Sequence, residues 1–160
     1  MHQLELFAVL KATWETIYIV FIASGLSIMF GSALGILLFL TQPRQAYAHP
    51  RLHNALGVGV NIARSVPFII LMISILPFTR LLVGTTIGTN AAIVPLTLAA
   101  IPFFARVAEG ALSEVPFGLI ETANSLGATT WQLITRVLIP ESLPALIRGI
   151  TLTVIALIGY

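Results

Sequence analysis

The side chains that could do chemistry in this 160-residue sequence are few. His49 and His53 are four residues apart, a spacing that places two metal ligands on one face of a helix. Pro50 lies between them, however, and no third ligand is near, so we interpret both histidines as surface loop residues. The sequence has no cysteine, and all its acidic residues are glutamates. Thiolate sites, disulfides and aspartyl-phosphate chemistry are therefore excluded.

Nucleotide-binding and hydrolytic motifs are also missing. A P-loop needs Gly-x-x-x-x-Gly-Lys-Ser/Thr to hold phosphates, but Lys11, the one lysine, is followed by Ala12 and lacks the preceding glycines. Neither His-Glu-x-x-His nor Gly-x-Ser-x-Gly occurs. We therefore expect that the chain is not an enzyme and binds no cofactor or metal. Any uphill process must then draw its energy from a partner protein.

The composition is typical of a membrane protein. Hydrophobic residues make up 58% of the sequence and charged residues 9%, with a mean hydropathy of +1.01, whereas soluble domains carry about 25% charged residues. Apolar segments at residues 16–40, 55–78, 91–112 and 143–160 predict four transmembrane helices. The predicted fold is an all-α polytopic membrane protein with one domain over residues 1–160. Because the last segment is still apolar at residue 160, we expect this domain to be incomplete at its C-terminus.

Some residues within these segments suggest specific roles. Gly31 and Gly35 form a small-xxx-small pattern that permits close helix contact, although glycine is also common in membrane helices in general. Pro95 and Pro102 are expected to kink or break the third segment, as in a helix that lines a pathway or in an ordinary membrane helix. Arg64, near the start of the second segment, is expected at the membrane interface.

Lysine and arginine are unevenly distributed between the two sides of the predicted membrane. Lys11 and Arg80 lie on one side, and six arginines lie on the other: Arg44, Arg51, Arg64, Arg106, Arg136 and Arg148. Basic residues favour the cytoplasmic side. The sequence therefore predicts that the N-terminus is outside and that residues 114–142 are cytoplasmic. Because the basic residues are scattered, they do not indicate a nucleic-acid interface.

The segment 114–142 is the one long interruption that itself has a folded pattern. Apolar residues recur in it with helical spacing and predict one apolar face of a short helix: Leu119, Ile120, Ala123 and Leu126. Gly127 stands where a left-handed residue would end this helix. A helix of about two turns is unstable alone. It could rest on the bilayer, pack against the spans, or dock into a groove on a cytoplasmic protein.

A second helix is predicted to follow at once. Thr129 and Gln132 have the spacing of a capping box, in which each side chain bonds to the backbone of the other residue. Apolar residues at helical spacing follow, and Pro140 is expected to stop this helix. The predicted arrangement is a helix, a glycine corner and a second helix.

This segment resembles the EAA loop of ABC-importer permeases, whose pattern is Glu-Ala-Ala, three residues, Gly, nine residues and Ile-x-Leu-Pro. The matching positions are Glu121, Ala123, Gly127 and Pro140, and the departures are Thr122, Val137 and Ile139. Residues 63–116 are similar to the methionine-import branch of that family. The similar stretches include Arg-Ser-Val-Pro-Phe at 64–68 and Ala-Ala-Ile-Val-Pro-Leu-Thr at 91–97.

The resemblance implies a type I ABC-importer transmembrane domain with five helices, of which four are predicted here. It implies a homodimer in the bacterial inner membrane, two separate ATPase subunits that bind the ATP, and an extracytoplasmic methionine-binding lipoprotein. The cargo would be D- or L-methionine, or both. The residues that would couple the loop to the ATPase are Leu119, Ile120, Glu121, Ala123, Gly127 and Pro140.

Two alternatives stay open at this point. The same kind of permease could carry another amino acid or small solute, or the chain could be a non-transporting membrane scaffold whose loop only recruits a partner. The substrate-binding residues are not identified. Because no polar partner for a zwitterion stands out in the spans, we expect a weakly specific path, with selectivity in the binding lipoprotein.

Overall fold

The computed structural model of the protein describes residues 2–43, 45 and 47–160, with side chains from residue 5 onward. Every regular element in these residues is helical. The elements are α1 (His2–Leu40), α2 (Pro50–Ser65), α3 (Phe68–Ser74), α4 (Leu76–Val83), α5 (Thr89–Ser113), α6 (Phe117–Ser125), α7 (Thr130–Gln132), a π-helical turn (Leu133–Leu138) and α8 (Ile139–Ile158). Arg44, one of the arginines behind the predicted orientation, lies outside the described residues.

Three helices in the described part of the chain are long and apolar enough to cross a membrane. They are α1, α5 and the continuous helix Thr130–Ile158, which α7, the π-helical turn and α8 form together. A fourth span is counted only if α2 and α3, which are bent by 98° relative to each other, are taken as one. The prediction of an all-α membrane protein is confirmed, whereas four regular spans are replaced by three long helices and one broken segment.

The first helix begins earlier than predicted. The expected span was residues 16–40, but α1 runs from His2 to Leu40. Residues 2–24 contain no proline or glycine, so none of them interrupts the hydrogen bonds of the helix.

The second predicted span, residues 55–78, is wrong as a single helix. Helix α2 already begins at Pro50, inside the expected loop, because proline at the first helical position loses no intrahelical hydrogen bond. It ends where Val66 takes an extended conformation, with φ −75° and ψ 122°. Steric contact with Pro67 disfavours the helical region at Val66. The chain therefore turns sharply into α3.

Helices α1 and α5 form the centre of the structure and run in parallel. Ser27 Oγ on α1 donates a hydrogen bond to the Thr97 carbonyl on α5 at 3.2 Å. A Cβ atom added at Gly35 would lie 2.7 Å from the Ala105 carbonyl oxygen and 2.7 Å from Ala108 Cβ. The predicted close contact of the Gly31 and Gly35 face with another helix is confirmed, because only glycine allows this approach. Helix α5 continues through Pro95 and Pro102, both buried, as one element.

The prediction that Pro140 stops the helix after the corner is wrong. The helix continues to Ile158, and Pro140 lies in the first turn of α8. The residues just before it form the π-helical turn, in which the Ile139 N–H donates to the Ile134 carbonyl. A proline removes one backbone donor and crowds the carbonyl four residues earlier. The wider π-helical turn is one way in which a helix accommodates such a break.

Candidate functional site

The corner at Gly127 has the geometry of a Schellman motif. Gly127 has φ +76°, in the left-handed region. Its N–H donates to the Asn124 carbonyl at 3.0 Å, and the Ala128 N–H donates to the Ala123 carbonyl at 3.0 Å. These are the two hydrogen bonds that close a helix C-terminus around a left-handed residue. The prediction of a glycine corner after α6 is therefore confirmed.

The next helix begins with the predicted capping box. The Gln132 N–H donates to Thr129 Oγ1 at 3.3 Å, and the Thr129 N–H donates to Gln132 Oε1 at 2.9 Å. Only Ala128 separates the glycine corner from this cap. Helix α6 and the helix after it are therefore joined by a short connection with defined backbone hydrogen bonds.

The predicted apolar face of α6 divides into two parts. Ile120 is 3% exposed and Ala123 is half-buried, and both pack against the rest of the chain. Leu119 and Leu126 are exposed instead, and so is Glu121. Leu126 is the residue after the last turn of α6, so it no longer follows the helical spacing that placed it with Ile120. The prediction that Leu119, Ile120, Ala123 and Leu126 share one buried apolar face is therefore wrong for Leu119 and Leu126.

Ile120 belongs to a buried cluster that we call the coupling core. Its members are Phe39, Leu112, Val115, Ile120, Leu133 and Leu138. They come from the end of α1, the end of α5, helix α6 and the π-helical turn before α8. A displacement of α6 would therefore act on all three long helices at once, because close-packed side chains transmit strain.

Four large apolar side chains of the same segment are exposed, and we call them together the exposed apolar patch. Its members are Phe117, Leu119, Leu126 and Trp131. Leu126 is 83% exposed. Large apolar side chains that are exposed within one short segment are typical of a protein contact surface.

A buried polar network lies near the coupling core and was not predicted. Glu109 on α5 is 6% exposed. Arg106 Nη1 donates to Glu109 Oε2 at 2.7 Å, and Gln42 Nε2 donates to Glu109 Oε1 at 2.9 Å. Arg106 Nη2 also donates to the Gly57 carbonyl on α2 at 2.9 Å. The Arg-x-x-Glu spacing inside an apolar segment was the signal that could have revealed this pair.

The interpretation of His53 as a surface loop residue is corrected. His53 lies in α2 and is half-buried, with Nδ1 3.1 Å from the Leu38 carbonyl and Nε2 4.0 Å from Glu109 Oε1. His49 is exposed and precedes the helix. Within the residues searched, no group of three or more metal-binding side chains comes together.

Arg64, which was expected at the membrane interface, is exposed and lies beside α5. Its guanidinium Cζ lies 5.8 Å from the ring centroid of Phe103, and the pocket that it lines also includes Ala99. Phe103 and Ala99 flank the middle of the 25-residue helix α5. Arg64 is therefore level with the middle of α5.

Comparison with known proteins points to one family of membrane transport proteins. Residues 27–160 match the family described as "Binding-protein-dependent transport system inner membrane component". The chain is 56% identical over 149 residues to the "Probable D-methionine transport system permease protein MetI" of Pasteurella multocida, which covers 93% of this chain and 69% of that protein. It is 44% identical over 160 residues to the "D-methionine transport system permease protein MetI" of Escherichia coli strain K12, covering 100% and 74%.

Solved structures show the same similarity in three dimensions. One chain of the MetNI methionine ABC transporter, in an inward-facing conformation, superposes with a TM-score of 0.98 at 44% identity. The superposition covers 100% of this chain and 74% of that one. An amino acid ABC transporter crystallised with histidines shares the fold, with a TM-score of 0.61 at 16% identity.

Proposed function

Because this chain belongs to the family of binding-protein-dependent transport system inner membrane components, we propose that it is the membrane-spanning permease subunit of an ATP-binding-cassette importer. We propose further that methionine, in its D or L form or both, is the cargo. The observation that carries this proposal is the 44–56% identity to methionine permeases across nearly the whole chain. The superposition on a methionine transporter supports it.

The local geometry supports a division of work in which this chain supplies the conduit and a partner supplies the energy. The sequence contains no P-loop. Helix α6 presents exposed apolar residues next to Glu121 on one side and inserts Ile120 into the coupling core on the other. A partner ATPase that binds the exposed side could therefore bias the packing of α1, α5 and α8. Such a bias is a population shift between two arrangements, driven by differential contacts.

In this proposal the individual residues of the loop have distinct tasks. Leu119 and Glu121 face the ATPase, whereas Ile120 and Ala123 hold α6 to the coupling core. Gly127 fixes the angle between α6 and the next helix. Pro140, after the π-helical turn, marks where that helix leaves the coupling core for the membrane.

The assembly that we propose is a homodimer of this chain in the bacterial inner membrane with two copies of the ATPase subunit. The ATP binds to the ATPase, and an extracytoplasmic lipoprotein delivers methionine. The N-terminus lies outside, and residues 114–142 lie in the cytoplasm. The distribution of lysine and arginine supports this orientation even without Arg64 and Arg106, which lie beside and within α5: Arg44, Arg51, Arg136 and Arg148 remain on the cytoplasmic side, against Lys11 and Arg80 outside.

Reconstitution tests the proposal directly. The permease and its ATPase are placed in proteoliposomes with the binding protein, and uptake of radiolabelled L-methionine and D-methionine is measured with and without ATP. We expect ATP-dependent uptake of at least one of the two. Uptake of another amino acid in preference to methionine would overturn the cargo assignment. ATPase binding without uptake of any solute would instead indicate a scaffold.

A further inference from the structure

The π-helical turn Leu133–Leu138 contains one residue more than an α-helix would need at this place. At its start, the Leu133 N–H donates to the Thr129 carbonyl, four residues earlier, at 2.8 Å. After its end, the Ile139 N–H donates to the Ile134 carbonyl, five residues earlier. The hydrogen-bond ladder therefore widens by one residue within the turn. Single turns of this kind occur frequently at functional sites.

The coupling core does not require the extra residue. Leu133 and Leu138, the first and last residues of the turn, are 1% and 0% exposed, and both belong to the core. Each residue turns an α-helix by about 100°, so residues four positions apart differ in direction by only about 40°. With one residue fewer between them, the two leucines would be four positions apart and would share one face of an uninterrupted α-helix.

The helix after the turn has a fixed register. The buried residues of α8 recur every three or four positions: Ser142, Ala145, Gly149, Thr153 and Leu157. A Cβ atom added at Gly149 would collide with the side chain of Val107 on α5, so the two helices are in close contact. A residue added to α8 or removed from it would rotate part of this face by about 100°. The extra residue of the turn therefore cannot be passed into α8 without loss of this packing.

The side of the turn toward α6 is held less firmly. Among the described residues, α6 has one fully buried side chain, Ile120, and α7 has none. Pro140 also leaves the turn less fixed, because proline has no N–H. It can donate neither to the Arg136 carbonyl, four residues earlier, nor to the Thr135 carbonyl, five residues earlier. The hydrogen bond that would favour one of these two registers over the other is therefore missing.

We propose that the π-helical turn is the joint at which α6 and the glycine corner move relative to α8 during transport. The inference rests on the proposed function and names the place in the chain where the movement occurs. A shift of the extra residue toward the capping box would rotate Leu133 relative to Leu138 and repack the coupling core. Packed cores change between discrete arrangements rather than deform continuously. The extra residue supplies the second arrangement, which an uninterrupted α-helix does not have.

The test removes the extra residue while leaving the coupling core intact. A variant that lacks Thr135 is compared with Thr135→Ala, which keeps the chain length but loses the hydrogen bond from Thr135 Oγ1 to the Trp131 carbonyl. ATP hydrolysis and methionine uptake are measured together in the reconstituted system. We expect the shortened variant to assemble and to hydrolyse ATP, with a ratio of uptake to hydrolysis at least tenfold below that of the wild type. Thr135→Ala should keep the wild-type ratio.

A second deletion is the control for folding. Removal of the exposed Ile147 from α8 should prevent assembly with the ATPase, as judged by size-exclusion chromatography, because it rotates part of the buried face away from α5. Assembly of this variant would show that the register of α8 is not fixed and would overturn the joint. Failure of the variant without Thr135 to assemble would also overturn it, since the extra residue would then be needed for packing. So would an unchanged ratio in that variant, or an equal loss in Thr135→Ala.

Hydrogen exchange tests the joint without reference to transport. Exchange of the amide hydrogens of residues 133–139 is measured in the permease–ATPase complex with and without Thr135. We expect exchange at least tenfold faster in the wild type, because a change of register opens the hydrogen bonds of the turn. Equal exchange in the two proteins would contradict the joint while leaving the proposed function in place. If the wild type takes up no methionine, the proposed function fails, and the exchange result decides on the joint separately.

Discussion

Arg106 Nη1 donates to Glu109 Oε2 at 2.7 Å within α5, and this ion pair is largely shielded from solvent. Gln42, just after α1, donates to the other oxygen of the same carboxylate, and Arg106 also donates to the Gly57 carbonyl of α2. The pair therefore ties three parts of the chain together near the coupling core. A buried charge that loses its partner is strongly destabilising.

The first prediction concerns this ion pair. Glu109→Gln should lower the free energy of unfolding by about 3 kcal/mol, because it leaves the Arg106 charge without its partner. The matched control is Glu114→Gln, whose pair with Arg148 is exposed, with Glu114 63% accessible. That change should cost less than about 1 kcal/mol. Apparent melting temperatures in detergent measure both, and equal shifts would show that burial does not govern the effect.

The second prediction concerns the contact between α1 and α5. Gly35→Ala would place a Cβ 2.7 Å from backbone and side-chain atoms of α5, so we expect a loss of about 1–3 kcal/mol from overpacking. Gly25 lies on the same helix with no atom within 4 Å of an added Cβ. Gly25→Ala should be neutral or stabilising by up to about 1 kcal/mol, because alanine favours the helix. Comparable melting temperatures for the two variants would contradict the close-packed contact.

The third prediction concerns the corner at Gly127. Gly127→Ala should cost about 1–2 kcal/mol locally, because an L-residue is strained at φ +76°. If the corner fixes the angle of α6, ATP hydrolysis should then proceed with reduced methionine uptake. Gly84→Ala imposes the same strain at φ +80° at the end of α4. It should leave the ratio of uptake to hydrolysis unchanged, and a similar loss in both variants would remove Gly127 from the coupling assignment.

Proline at position 127 should have a stronger effect than alanine. Gly127→Pro cannot adopt φ +76°, because the proline ring fixes φ near −65°. We expect this variant to insert into the membrane and to lose ATP-driven uptake. Normal uptake by membranes that contain it would contradict the coupling role.

The fourth prediction concerns the exposed apolar patch. Leu126→Glu should weaken co-purification of the ATPase at least tenfold, because it places a charge in an apolar docking surface. Ile87→Glu, at an equally exposed residue beyond the other end of α5, should have no such effect. Undiminished ATPase recovery with Leu126→Glu would exclude the patch as the docking surface.

The fifth prediction concerns orientation, which the absence of cysteine makes simple to test. Ser125→Cys and Thr86→Cys each introduce one exposed thiol: Thr86 lies before the start of α5, and Ser125 lies in α6, beyond its end. Residue 86 should react with a membrane-impermeant maleimide in intact cells, and residue 125 only after the cells are opened. The reverse pattern would show that the N-terminus is inside.

The amino-acid sequence alone determined the fold class and the form of the loop. Those conclusions depend on short-range properties: apolar length sets the spans, a glycine allows the left-handed corner, and the Thr129–Gln132 spacing makes the capping box. Helix boundaries at prolines are harder to predict, because a proline can begin a helix, bend it or be accommodated within it. Pro50, Pro67 and Pro140 show these different outcomes. Which of these occurs depends on the conformation of neighbouring residues and on the packing around them.

Only the tertiary structure decided which side chains meet and at what depth. Glu109 and Gln42 are 67 positions apart in sequence, and no local pattern predicts that they share a hydrogen bond. Arg64 of α2 and Phe103 near the middle of α5 lie beside each other, and no local pattern predicts this contact either. The division of α6 between the coupling core and the exposed patch also depends on how the long helices pack. Helical spacing fixes which residues share a face, whereas long-range packing determines what that face contacts.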